Sequence, residues 1–244
     1  MEVKVMTYNV HSCRGRDHKV STSRIAEIIA ASGAEIVALQ ELDAGLPRSG
    51  FVDQAQAIAD QLKMHCHFSP CWWLEEGRYG NALLSRYPLS LKKAEGLPTL
   101  DSPETLEPRG VIWAETAAGD RRIQVFNTHL GLRKKERRLQ IDRLTGPEWL
   151  GHPDCRPPII FCGDLNALPN SYVVRSVRGI LMDVQLRANG RPRNTYPSRL
   201  PLVRIDYVFA SKDIGVRSAA VPRSDFARTA SDHLPLVVEI IVPD

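Results

Sequence analysis

Several short apolar segments of this chain end on, or open with, an acid, an amide or an imidazole. They carry Asn9, Glu41, His129, Asp164 with Asn166, Asp206 at a segment start, and Asp232 with His233. A single Asp or Asn in such a place is an ordinary turn former. The set is different, because strand ends from separate segments converge on one rim of a packed sheet protein. Four carboxylates gathered there (Glu41, Asp164, Asp206 and Asp232) would repel one another unless a cation sat among them. Hard oxygen ligands favour Mg²⁺, Mn²⁺ or Ca²⁺.

Strands and helices alternate in the elements that must position these residues. Residues 3–8 are apolar and β-rich and stop at Asn9. Ser21 or Ser23 can cap a helix that places Ile25, Ile28 and Ile29 on one face and ends at Gly33. The run 36–40 reads as a buried strand ending at Glu41, and the spacing of Val52, Ala55, Ile58, Ala59 and Leu62 predicts a helix over roughly 50–63. Strands are expected at 65–68, 81–85, 111–116 and 123–128, with turns at 86–88 and 118–120. A helix is expected over 133–150, with Leu132, Leu139, Ile141 and Leu144 as its apolar positions. The strands 159–162, 205–210 and 234–242 complete the reading. The Pro-rich stretches 97–108 and 191–201 read as long surface loops.

Composition limits the alternatives. With 43% hydrophobic and 25% charged residues over 244 positions, the chain is neither disordered nor collagenous nor a coiled-coil array. No apolar run has the length of a membrane helix. The N-terminus reads as a strand, with no signal peptide, and the five cysteines show no C-x-x-C and read as free thiols. A single domain over 1–244, a monomer and a cytoplasmic location are therefore expected. Charge is uneven: residues 1–120 hold 12 basic and 16 acidic residues, and 121–244 hold 20 basic and 12 acidic. A basic second half hints at an anionic partner.

Seven blocks occur in a fixed order: Thr7-Tyr8-Asn9-Val10-His11, Gln40-Glu41-Leu42, Tyr79-Gly80-Asn81-Ala82-Leu83-Leu84-Ser85, Asn127-Thr128-His129-Leu130, Gly163-Asp164-Leu165-Asn166-Ala167, Arg204-Ile205-Asp206-Tyr207 and Ser231-Asp232-His233-Leu234-Pro235. Each is weak alone. Together, over residues 3–241, they resemble the endonuclease/exonuclease/phosphatase (DNase I-like) superfamily, in its bacterial metal-dependent hydrolase branch. The resemblance implies a four-layer α/β sandwich: two mixed, mainly antiparallel β-sheets flanked by helices, with the site at one rim. It implies a Mg²⁺-dependent phosphoester hydrolase, with Mn²⁺ as a possible substitute.

Roles follow from the same resemblance. Glu41 is expected as the principal metal ligand, with Asn9 and Asp232 beside it. Asp164 is expected to orient or deprotonate the attacking water, with Asn166 holding that geometry. His233 is expected to contact the scissile phosphate, with Asp206 behind it, and His129 matches a second family histidine. Arg109, Asn81 and Tyr79 are expected to contact substrate. Hydrolysis needs these types: a metal to neutralise developing charge, a carboxylate base, and cations on the phosphoryl oxygens.

Two departures are informative. DNase I-like members place an acid close behind the histidine that His129 matches; here the nearest, Glu75 and Glu76, are separated from Tyr79 by Gly77-Arg78, so the partner of His129 stays open. Apurinic endonucleases carry Tyr at the position of His129, which argues against that branch. Thr195-Tyr196-Pro197-Ser198 resembles a block of many bacterial members, and related sequences include proteins linked to GPI-anchor remodelling.

Other features have two readings each. Arg133-Lys134-Lys135-Glu136-Arg137-Arg138 can steer a polyanion or be a solvated helix face. Trp72-Trp73, in an expected polar loop, can stack on a base, dip into a lipid interface or pack at a sheet edge. The His65-x-His67 pair with Cys71 lacks a fourth ligand for a zinc site. Three functions remain in order: a phosphodiesterase or nuclease acting on nucleic acid; a hydrolase of small or lipid-linked phosphoesters such as inositol phosphates or phospholipid head groups; and a non-catalytic binding module.

Overall fold

The structure, a computed structural model, describes residues 1–74, 76–100, 106–119 and 121–243. Among these described residues twelve strands form two six-stranded sheets. With strands numbered in chain order, the first sheet holds β1 (Glu2–Asn9), β2 (Ile36–Ala44), β3 (His65–Leu74), β4 (Gly77–Ser85), β11 (Gly215–Ala220) and β12 (Leu236–Ile241), in the order β11-β12-β1-β2-β4-β3. The second holds β5 (Leu89–Gly96), β6 (Gly110–Ala118), β7 (Arg121–His129), β8 (Ile159–Asp164), β9 (Met182–Asp183) and β10 (Asp206–Ala210), in the order β5-β6-β7-β8-β10-β9. Each sheet has one parallel pair at its middle, β1 with β2 and β7 with β8; the other pairings are antiparallel.

The central strands are apolar on both faces because both faces are covered. Val5, Ile36, Ala38 and Leu83 of the first sheet meet Ile112, Val125, Ile160 and Val208 of the second in the middle layer. Met6, Val37 and Leu39 turn outward onto Ile25 and Ile29 of α1 (Thr22–Ser32) and Ile58 of α2 (Gln54–Leu62). Phe126, Phe161 and Phe209 turn outward onto Ile141 and Leu144 of α3 (Lys134–Leu144) and Val174 and Val177 of α4 (Tyr172–Arg178). Two short helices, α5 (Val184–Arg187) and α6 (Asp225–Ala230), complete the set. The result is the expected layering of helix, sheet, sheet and helix. Ser21, not Ser23, caps α1, accepting from the Arg24 amide.

Several sequence expectations are corrected. The helix expected over 133–150 ends at Leu144, since Gly146-Pro147 cannot continue it and the chain turns to bury Trp149 and Leu150. Leu132 and Leu139 do not face the core; they are 70% and 46% exposed, while Glu136 and Gln140 are buried. Gln140 is buried because its amide accepts from the Gly131 N–H and donates to the Pro98 carbonyl. The expected loop around Trp72-Trp73 is instead the end of β3, paired with Tyr79 and Arg78 of β4. Strand β2 runs past Glu41 to Ala44, through a bulge opposite Asn81. Of the loop 97–108, residues 101–105 lie outside the described residues, as do Glu75 and Asp120.

Candidate active site

Four of the expected residues sit at strand ends, and a fifth in a strand bulge, that the topology sets side by side. His129 and Asp164 close β7 and β8, Asp206 opens β10, and the register pairs His129 with Asp164 and Asp164 with Asp206. Facing them from the first sheet are Asn9, at the end of β1, and Glu41, in the bulge of β2. His233 follows α6 just ahead of β12. Gly163 makes the β7–β8 approach possible: its φ is +147°, and a Cβ there would lie 1.9 Å from the Thr128 carbonyl oxygen.

Asn9 bridges the two sheets. Its Nδ2 donates to Glu41 Oε1 at 2.8 Å and to Asp164 Oδ2 at 3.1 Å, while its Oδ1 accepts the His11 N–H. Glu41 (φ 62°) and Asn166 (φ 46°) both sit in the left-handed region, which non-glycine residues adopt at a cost of about 1–3 kcal/mol.

Asp164 is the hub. Its Oδ1 accepts the Asn166 N–H at 2.8 Å. Its Oδ2 lies 3.1 Å from Asn9 Nδ2, 3.5 Å from His129 Nε2 and 3.6 Å from His233 Nε2. Burial, reinforced by the Asp206 charge, pushes the Asp164 carboxyl up to about 7. Burial also raises Glu41, with Glu107 adding to it. For His233 burial works downward, but Asp206 and Asp164 outweigh it and push the imidazole up to about 10. Asp206 holds His233 Nδ1 at 3.0 and 3.2 Å, and Asp206 itself accepts the Thr195 hydroxyl.

His129 has a different environment. Burial, then the neighbouring Arg109 charge, holds it well below its ordinary value. Arg109 Nη1 stands 3.0 Å from His129 Nδ1 and 2.8 Å from Glu107 Oε1. A guanidinium can only donate, so Nδ1 accepts from Arg109; on the other side Nε2 stands 3.1 Å from Asn166 Nδ2, an amide that also donates to the Leu130 carbonyl, and faces Asp164 and Glu41. The partner left open by the sequence is therefore an arginine, not Glu76. Arg109, expected on substrate, is 4% exposed and stands behind His129, with its Nε unpartnered among the described residues.

The remaining expected residues fall nearby in different ways. Tyr79 lines a cavity of about 440 Å³ that opens onto Glu41, with Glu107, Trp72, Arg48 and His11 also on its wall. Asn81 is buried and its Nδ2 donates across the sandwich to the Gly110 carbonyl, which ties the sheets beside the Glu41 bulge. Asp232 is half-exposed, with its Oδ1 accepting from Ser231 and lying 3.9 Å from His11 Nδ1. Residue-by-residue reading missed Thr195, Tyr196, whose ring packs 4.8 Å from His233, and Glu107. The block Thr195-Tyr196-Pro197-Ser198 was the available signal for the first two.

The donor set fits a divalent cation. Three buried or half-buried carboxylates, Glu41, Asp164 and Asp206, face one imidazolium, and a cation among them would keep Glu41 and Asp164 ionised against the burial that raises them. Asp164, Asp206 and His233 offer ligand atoms within 4.8 Å of one another. Both oxygens of Asp206 already serve His233, and one also accepts from Thr195. Glu41 Oε2, on the open side, has no such partner among the described residues.

Fold and rim together define the class: an α/β-sandwich enzyme that hydrolyses phosphoesters. The profile of the Endonuclease/Exonuclease/phosphatase family matches residues 6–233, and the chain belongs to that family. It is 28% identical over 248 residues to the uncharacterized protein YbhP of Escherichia coli (strain K12), covering 97% of this chain and 95% of that protein. Solved structures share the fold at lower identity. An endonuclease/exonuclease/phosphatase from Beutenbergia cavernae DSM 12333 superposes with a TM-score of 0.79 at 22% identity, over 99% of this chain and 72% of that one. A mannosyl-6-phosphatase of Bacteroides thetaiotaomicron VPI-5482 gives 0.75 at 20%, over 98% and 99%. The human Nocturnin catalytic domain with bound sulfate gives 0.75 at 23%, over 99% and 94%.

Proposed function

We propose that this enzyme is a Mg²⁺-dependent phosphodiesterase, acting on nucleic acid by in-line attack of an activated water. The observation that carries the reading is the position of Asp164 Oδ2, within 3.6 Å of both imidazoles, on a carboxyl lifted to about 7. A base works best with a pKa near the working pH. Asp164 takes the proton of the attacking water, and Asn9 and the Asn166 N–H hold its two oxygens in place. His233, charged and oriented by Asp206, donates from Nε2 to a phosphoryl oxygen. His129 lies beside it, held between the Arg109 guanidinium on Nδ1 and the Asn166 amide on Nε2. Glu41, with Asp232 on the open side, would hold the cation, Mg²⁺ or Mn²⁺, which would supply Lewis-acid stabilisation of the phosphoryl charge. Asn9 contributes by positioning Glu41.

A second reading is a hydrolase of small or lipid-linked phosphoesters. It draws on the Bacteroides phosphatase neighbour and on Trp73, which is 70% exposed at the end of β3. A substrate panel separates the two: single-stranded oligonucleotide, plasmid, bis-p-nitrophenyl phosphate, p-nitrophenyl phosphate and inositol phosphates, each with and without Mg²⁺ or Mn²⁺, with Asp164→Asn and His233→Ala as controls. Diester cleavage lost in both variants supports the first reading; cleavage of monoesters alone overturns it in favour of the second.

A further inference from the structure

A second cavity meets the centre at Asn166. It has a volume of about 350 Å³, within the range of ligand sites, and Asn166 is part of its wall. Lys134, Arg137 and Arg138 enter it from the first turns of α3, and Arg175 enters from α4. No acidic side chain lines it among the described residues.

The positive charge there is largely unspent. Arg137 Nη1 donates to the Gly131 and Leu132 carbonyls, and Arg175 Nη1 to the Asn170 carbonyl, so neither bond neutralises a cation. Arg138 lies over the Tyr172 ring at 4.6 Å, and its nearest carboxylate, Asp142, is at 4.0 Å on an exposed helix face, where such pairs are worth little. Arg137 is also acted on by the charge of its neighbour Glu136 and, less, by that of Asp164 in the centre, so the groove's freer cations are Lys134, Arg138 and Arg175. Like charges at i and i+4, here Lys134 and Arg138, weaken an isolated helix. Their placement on one wall beside Asn166 gives that cost a use.

We infer that this groove is a subsite for a second phosphate of the substrate, the one next to the scissile phosphate along a single nucleic-acid strand. Guanidinium forks and an ammonium suit phosphate oxygens. The exposed Leu168 supplies an apolar wall for the sugar and base between the two phosphates. The inference rests on the phosphodiesterase reading and deepens it: the centre selects a phosphodiester, and the groove selects a chain of them.

The test is binding of a labelled single-stranded oligonucleotide in EDTA at several salt concentrations, by wild type, Lys134→Glu/Arg138→Glu, Lys134→Glu alone, and Lys212→Glu. Lys212 is exposed beyond the end of β10 opposite Asp206, at the far rim, and serves as the control. The double variant is expected to bind at least about tenfold more weakly, with the slope of log K against log salt reduced by about 0.7 per contact removed. Lys134→Glu alone is expected to lose part of this, and Lys212→Glu to stay within about twofold of wild type. Wild type that fails to bind the strand overturns the inference. So does a double variant that matches wild type, or a Lys212→Glu loss equal to that of the double variant. Hydrolysis of bis-p-nitrophenyl phosphate with Mg²⁺, measured on the same proteins, isolates the reading beneath it. Activity on that diester with no change in strand binding removes the groove alone. Inertness toward it with intact groove-dependent binding removes the phosphodiesterase reading alone.

Discussion

Arg109 stands 3.0 Å from His129 Nδ1, in the place where an acidic partner was sought. An acid there would raise the histidine and favour its charged form; an arginine does the reverse and can only donate to Nδ1. Replacing Arg109 with Met removes that constraint. The variant is expected to lose about 10–100-fold in kcat with little change in KM, since one hydrogen-bond donor is mispositioned. Nitrogen NMR of the imidazole checks the cause: Nδ1 is the unprotonated nitrogen in wild type and becomes mixed in Arg109→Met. A wild-type ring protonated on Nδ1 would refute this arrangement.

The raised Asp164 makes a statement about stability. A group whose folded pKa lies above its unfolded value stabilises the fold below the unfolded pKa and loses that contribution as pH rises through the folded one. For Asp164 the loss runs from about 4 to about 7, and for His233 from about 6.5 to about 10. Metal-free protein is therefore expected to melt at progressively lower temperature from pH 6 to pH 10. Asp164→Asn removes the first part of that decline and is expected to raise the Tm at pH 8 while lowering activity by about 10²–10⁴-fold, each 1 kcal/mol being worth about 2–4 °C at this chain length. Thermal unfolding in EDTA reads this directly; an Asp164→Asn protein less stable than wild type at pH 8 contradicts it.

Asp206, with its partner Thr195, is expected to set the alkaline side of the rate profile. Asp206 is the largest influence raising His233. The pH profile of kcat/KM is expected to fall near pH 10 as His233 loses its proton. In Asp206→Asn that limb is expected to move down toward the ordinary histidine value of about 6.5. Thr195→Val removes a hydrogen bond to Asp206 and is expected to lower activity by less than Asp206→Asn does. An unmoved alkaline limb in Asp206→Asn would assign it to another group.

Gly163 is a structural requirement of the site. With φ at +147° and the Thr128 oxygen 1.9 Å from an added Cβ, Gly163→Ala must part β7 from β8 between His129 and Asp164. Destabilisation above about 2 kcal/mol is expected, with activity lost even at temperatures where the protein stays folded. Chemical denaturation measures the first and steady-state kinetics the second; a fully active Gly163→Ala protein would show the strands to be adjustable.

Much of the centre was legible in the sequence because its residues close apolar runs that are buried on both faces: 36–40 before Glu41, 123–128 before His129 and 159–162 before Asp164. Periodicity also found α1 and α2, whose apolar stripes are long enough to show. It missed the edge strands β5 and β11, which expose most of their side chains and so carry no clean alternation. It missed α4, where Tyr172-Val173-Val174 reads as β-branched and the helix has only seven residues. It overran α3 because the buried side of that helix is partly polar, through Glu136 and Gln140. Pairings such as Arg109 with His129, or Thr195 with Asp206, depend on sheet register and loop path, which local spacing does not encode.

The most direct measurement is hydrolysis of bis-p-nitrophenyl phosphate by the purified protein, with Mg²⁺ or Mn²⁺ and with EDTA, beside Asp164→Asn and His233→Ala. The account predicts metal-dependent cleavage that EDTA abolishes, with each variant reduced by about 10²–10⁴-fold. Cleavage that persists in Asp164→Asn at the wild-type rate, or no cleavage of the diester with any divalent metal while a monoester is turned over, would contradict it.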